Sequence, residues 1–127
     1  WVELPKENVL FVGDTVMGDQ PPFLAYFNAD AWLVDLELLS GDRFKDYQII
    51  SSRAGLINPE QVLEMRQVVN KIKTLLDPLM QTNASLDEIF KIIPIILEDY
   101  HVDAVRRDLY FNRLRWGLST YYELNHN

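Results

Sequence analysis

The sequence predicts an α/β front joined to an all-helical tail, on three observations. Val9-Leu10-Phe11-Val12 is an unbroken apolar run closed by Gly13-Asp14, the pattern of a strand buried on both faces. Trp32, Leu33, Leu36 and Leu39 recur at helical spacing and separate that run from a second short strand at Tyr47-Gln48-Ile49-Ile50-Ser51, a strand–crossover helix–strand order. From Asn58 onward the apolar periods are all helical. The 127 residues match one domain of about 100–200 residues. They divide near residue 58 into an α/β segment, 1–57, and a helical tail, 58–127, expected to pack on it.

The elements follow in order. Trp1-Val2-Glu3-Leu4 alternates as a half-buried strand does, and Pro5 to Asn8 is a turn. Residues 15–27, with Gly18 and Pro21-Pro22, form an ordered loop, because paired prolines suit neither helix nor sheet. Asn28 caps a helix running to about Ser40, with Gly41 as its stop. Asn58-Pro59-Glu60-Gln61 opens the next helix with a capping residue, a proline in the first turn and a glutamine three residues after the cap. Val62, Met65, Val69, Ile72 and Leu76 give it one apolar face to about Leu79, where Pro78 distorts or ends it. Ser85-Leu86-Asp87-Glu88 is a capping box for a further helix with Ile89, Phe90, Ile92 and Ile93 behind it. Pro94 should kink that helix, leaving Ile95 to Tyr100 as a separate turn. The last helix spans about Val102 to Leu124, with Val105, Leu109, Asn112 or Arg113, and Trp116 as its inner stripe.

Composition narrows the function. There are 12 Lys and Arg against 19 Asp and Glu, a net charge of −7, and the pI is near 4.7. Phosphate binding needs a positive field, so nucleic acid and anionic membrane surfaces are not expected partners. No apolar run approaches the ~18–20 residues of a membrane span. With no cysteine there is no disulfide, thiolate metal site or cysteine nucleophile. The absence of cysteine is compatible with cytosol or export and does not fix the compartment, for which the cytoplasm is favoured. The sequence opens on Trp1 without a charged segment leading into an apolar one, so it is expected to be a piece of something longer rather than a secreted precursor.

Asp14 is the leading chemical candidate. A strand that ends in Gly-Asp puts a carboxylate at the carboxyl edge of a sheet, where α/β proteins place their sites; it either binds a hard or borderline metal there or caps the following turn. Asp14 and Asp19 bracket Gly18 and either hold a cation or form a solvated turn. Arg53, in Ser51-Ser52-Arg53, meets an anion, pairs with an acid such as Asp14, or lies on the surface. His101 and His126 are the two histidines, and two cannot by themselves build a three-ligand zinc site. Tyr110, Phe111, Trp116, Tyr121 and Tyr122 supply core or interface.

Taken together, Val9-Leu10-Phe11-Val12-Gly13-Asp14-Thr15, Pro21-Pro22-Phe23, Asp30-Ala31-Trp32-Leu33-Val34-Asp35-Leu36 and the strand leading to Ser51-Ser52-Arg53-Ala54-Gly55 resemble the second half of a metallo-β-lactamase-fold, glyoxalase II-like hydrolase. The resemblance covers about residues 2–58. It implies half of an αβ/βα sandwich followed by a helical segment of about three helices. It also implies a zinc or other divalent-metal hydrolase acting on a small-molecule substrate, with Asp14 in the place of the bridging metal ligand. The family's His-x-His-x-Asp-His ligands would precede Trp1, and Arg53 stands where the family has the histidine of Pro-Gly-His-Gly. Arginine has no lone pair to give a metal, so Arg53 is expected to contact Asp14 or an anionic substrate, and the isolated chain is expected to be inactive. Half a sandwich leaves a sheet face to be covered by the chain's own tail helices or by a second copy, and a homodimer is expected. The competing expectation is a non-catalytic interaction or oligomerisation module, or a degenerate pseudo-hydrolase.

Overall fold

A computed structural model describes residues 1–126 of the chain. The chain is α/β, with one four-stranded mixed sheet of order β1-β2-β3-β4. Its strands are β1 (Val2–Leu4), β2 (Val9–Gly13), β3 (Gln48–Ser51) and β4 (Gly55–Ile57). β1 and β4 run antiparallel to their neighbours, and β2 and β3 are parallel. A parallel pair needs a crossover; here it is α1 (Ala29–Ser40) followed by a 3-10 turn, Asp42–Phe44. The helices α2 (Pro59–Gln81), α3 (Leu86–Phe90), α4 (Ile93–Leu97) and α5 (Ala104–Asn125) complete the described chain. The residues cluster in two compact units: 1–19 with 29–70, and 20–28 with the chain from Lys71 onward.

In the first unit the sheet has one covered and one bare face. Leu10, Val12, Ile49 and Ile57 are buried, as are Leu36, Leu39 and Val62 of α1 and α2. The opposite face carries Val2, Phe11, Ile50 and Leu56, which pair in one row across all four strands. Val2 is 59% exposed, Phe11 39% and Leu56 64%. This corrects the expectation that β2 is buried on both faces: an apolar run specifies that neither side is polar, not that both are covered. β4 is a further strand that sequence periodicity did not resolve, because three residues leave no period to read.

The cap at the start of α2 forms as expected. Asn58 Oδ1 accepts from the Gln61 amide and Gln61 Oε1 accepts from the Asn58 amide, both at 2.9 Å. Val62, Met65, Val69, Ile72 and Leu76 are all buried. Pro78 does not end α2, which runs three residues further to Gln81. Its stop is Asn83, at φ 53, with the Ala84 amide donating to Leu79 O at 2.9 Å, the long bond that closes a left-handed C-terminal cap.

In the second unit Ser85 caps α3, its hydroxyl accepting from the Glu88 amide. The break precedes Pro94, which sits in the first turn of α4, where a missing N–H costs no helical bond. Asp103 accepts from the Arg106 amide as the cap of α5. The inner stripe of α5 is the largest correction. Val105, Leu109 and Trp116 are exposed at 72%, 61% and 61%, whereas Tyr110, Leu114, Gly117 and Leu118 are buried. A Cβ on Gly117 would lie 3.0 Å from Leu24 N, so the helix approaches the 20–28 segment most closely on the Gly117 side. Arg113 reinforces that side: its guanidinium lies over the Phe23 ring at 4.4 Å and donates to Pro21 O at 3.1 Å.

Candidate functional site

The carboxyl ends of β2 and β3 share one edge of the sheet because the two strands are parallel. Asp14 follows β2 there. The turn 52–54, between β3 and β4, returns to the same place, and the Ser52 amide donates to Gly13 O at 3.0 Å. The Ser52 hydroxyl then donates to Asp14 Oδ1 at 2.5 Å. Arg53 Nε stands 3.5 Å from the same oxygen, with the Arg53 and Asp14 side chains 43% and 48% exposed. A pair so open to water contributes about 0–1 kcal/mol; its effect is to aim the carboxylate rather than to hold the fold. Asp14 and Arg53 therefore come together. The turn 12–15, which contains Asp14, is closed by Thr15, whose amide and hydroxyl both donate to Val12 O, at 3.3 and 2.8 Å.

Ser51 fixes the clamp from below. It is 3% exposed. Its hydroxyl donates to Val16 O at 2.6 Å and accepts from the Arg53 and Ala54 amides at 3.1 and 3.2 Å. One buried hydroxyl thus ties the loop after β2 to the turn after β3. Sequence reasoning singled out Arg53 but passed over Ser51 and Ser52. The available signal was a strand ending in two serines, which readily satisfy nearby turn amides. Thr15 ties in two tryptophans: its carbonyl accepts from Trp32 Nε1 at 2.8 Å and its hydroxyl from Trp1 Nε1 at 3.0 Å.

The donor set does not make a metal site. Among the described residues no group of three or more His, Cys, Asp and Glu is close enough to hold an ion. Asp14 is met by a hydroxyl and a guanidinium, and Asp19 is exposed without forming such a group. A structural or catalytic zinc takes three or four protein ligands, so these residues alone do not fit one. His101 is exposed in the irregular segment before α5. His126 stacks on Tyr122 at 4.3 Å, with its Nδ1 2.6 Å from Tyr122 O, which accounts for its ring by local structure. Tyr110 packs edge-to-face on Tyr100 at 6.4 Å and Tyr121 on Phe27 at 6.3 Å.

No helix among the described residues is long and apolar enough to cross a membrane. No protein-family model, curated protein or solved structure matches the chain.

Proposed function

We propose that this chain is the C-terminal segment of a metal-dependent hydrolase of the metallo-β-lactamase superfamily, inactive by itself. In this reading Asp14 gives one carboxylate to a divalent-metal site, zinc foremost, whose other ligands lie outside the chain. Arg53 steers Asp14 and meets an anionic part of a small-molecule substrate. The observation that carries the reading is a half-exposed Asp14 held at the carboxyl edge of a parallel strand pair by Ser52 and Arg53. The bare apolar row Val2, Phe11, Ile50 and Leu56 supports it, because a sheet with helices on one side and apolar residues on the other is what one layer of a two-sheet sandwich presents.

The test is metal analysis of the longer parent protein, comparing wild type, Asp14→Ala and Arg53→Ala. The expected result is loss of metal in the first variant and retention in the second, because a guanidinium is not a ligand. Metal content unchanged by Asp14→Ala would overturn the assignment. Such a protein would then lose only a surface contact.

A second reading is a non-catalytic interaction or oligomerisation module. Two exposed apolar surfaces favour it: the sheet row in the first unit, and the α5 stripe of Val105, Leu109 and Trp116 in the second. In its simplest form two copies pair through the sheet row as a homodimer, which removes the bare face from water.

A further inference from the structure

Between the covered face of the sheet, the end of α1 and the start of α2 lies a cavity of about 410 Å³. It belongs wholly to the first unit and is separate from the Asp14 edge. Its floor is apolar: Leu39, Phe44, Ile49, Ile57 and Val62 line it, and all five are buried. The volume falls within the ~300–1,000 Å³ of small-molecule pockets, whose usual pattern is an apolar body with a few polar groups that fix orientation.

Two of the polar groups at the rim are donors. Lys45 lines the cavity, is exposed, and has no ion-pair partner among the described residues; its apolar stem can follow the wall while its ammonium stays in water at the mouth. Asn58 also lines the cavity. Its oxygen is committed to the Gln61 amide, which leaves its Nδ2 hydrogens as donors. Two other rim hydroxyls already donate elsewhere, Ser40 to Leu36 O at 3.0 Å and Tyr47 to Glu3 Oε1 at 2.9 Å. No carboxylate lines the cavity. Glu3, the acid behind Tyr47, is paired with Arg43 at 3.2 Å.

We infer that this cavity is a binding site for a small apolar monocarboxylate, its hydrocarbon on the Leu39–Phe44–Val62 floor and its carboxylate on Lys45 and Asn58. A single lysine is a point charge suited to a monoanion. A phosphate would call for more positive charge, or an arginine fork, in a chain whose net charge is −7.

The test is an amide-resolved NMR titration of the intact chain with octanoate, octylamine and acetate as probes. Octanoate should shift amides of 39–45 and 57–63 saturably, and octylamine and acetate should bind at least tenfold more weakly. Lys45→Gln, an exposed position, should weaken octanoate about tenfold or more, the size of one charge-assisted hydrogen bond. Leu63→Trp should block the mouth, where Leu63 is 52% exposed, while leaving the fold's spectrum in place. The inference is overturned by octylamine binding as well as octanoate, by unshifted amides at saturating octanoate, or by Leu63→Trp binding like wild type. Shifts centred on Phe11 and Leu56 would overturn it too, since they would assign the binding to the bare sheet face.

Discussion

Replacing Ser51 by alanine removes one oxygen and strands three backbone groups. Val16 O, in a residue that is fully buried, loses the donor that stands 2.6 Å away. A buried carbonyl left without its partner costs about 1–3 kcal/mol. The Arg53 and Ala54 amides lose their acceptor, but both lie in a partly exposed turn where water replaces it, at roughly 0.5 kcal/mol each by the same net scale. The expected loss is therefore about 2–4 kcal/mol. Ser52→Ala removes only the exposed contact to Asp14 and should cost about 0–1 kcal/mol. Equilibrium urea unfolding followed by tryptophan fluorescence measures both, since Trp1 and Trp32 bond to Thr15 beside the clamp. With a slope of about 1–3 kcal/mol per molar urea, the Ser51→Ala midpoint should fall by roughly 1–2 M. If the units unfold separately, the shift belongs to the transition that these tryptophans report. Loss of less than about 0.5 kcal/mol in Ser51→Ala, or equal losses in the two variants, would refute the role given to the buried hydroxyl, because its cost rests on the burial penalty.

Two further outcomes are expected. The Tyr47 phenol is held above its usual pKa, first by its hydrogen bond to Glu3, then by burial and by the Glu3 charge, with Arg43 opposing. A raised folded pKa means that the stabilisation is fully present below the ordinary tyrosine value of about 10 and is lost as pH rises through the folded value. The alkaline fall in stability should thus be shallower in Tyr47→Phe than in wild type, and equal slopes would refute the linkage. For the sheet face, light scattering should report a dimer for the wild-type chain and a monomer for Leu56→Glu, a change at a position 64% exposed that leaves the core untouched. A monodisperse wild-type monomer would remove the homodimer from consideration.

What could be read from sequence follows the range of the interactions. The caps of α2 and α3 are local: Asn58 and Gln61 exchange both bonds that their spacing predicts, and Ser85 accepts from the Glu88 amide, one of the two bonds of a capping box. The strand ending at Gly13-Asp14 is local too. The orientation of α5 is not, because its sequence carries two candidate apolar stripes. Val105-Leu109-Trp116 and Tyr110-Leu114-Leu118 are both at helical spacing, and the absence of a side chain at Gly117 decides between them by admitting Leu24. Pro94 likewise reads as a breaker in sequence but lies in the first turn of α4, because the preceding helix has already stopped at Phe90. The pairing of Arg53 with Asp14 was one of three readings that the sequence left open, and choosing among them required knowing that β2 and β3 are parallel neighbours.

That choice also depends on a register fault. Phe11 pairs with Ile50, but Gly13, not Val12, pairs with Ser51, so β2 carries one extra residue at its carboxyl end. Counted without the extra residue, Asp14 would stand level with Arg53. The bulge moves Asp14 back to Ser52, whose hydroxyl takes one carboxylate oxygen while Arg53 approaches that same oxygen from the next position. Gly13, at φ 62, supplies the left-handed turn there that a side chain would oppose. Bulges of this kind occur at sheet edges and barrel rims as well as beside active sites, and they re-aim a side chain or end the pairing. The irregularity thus gives Asp14 a hydroxyl donor beside the guanidinium, which the regular register would not have set opposite it.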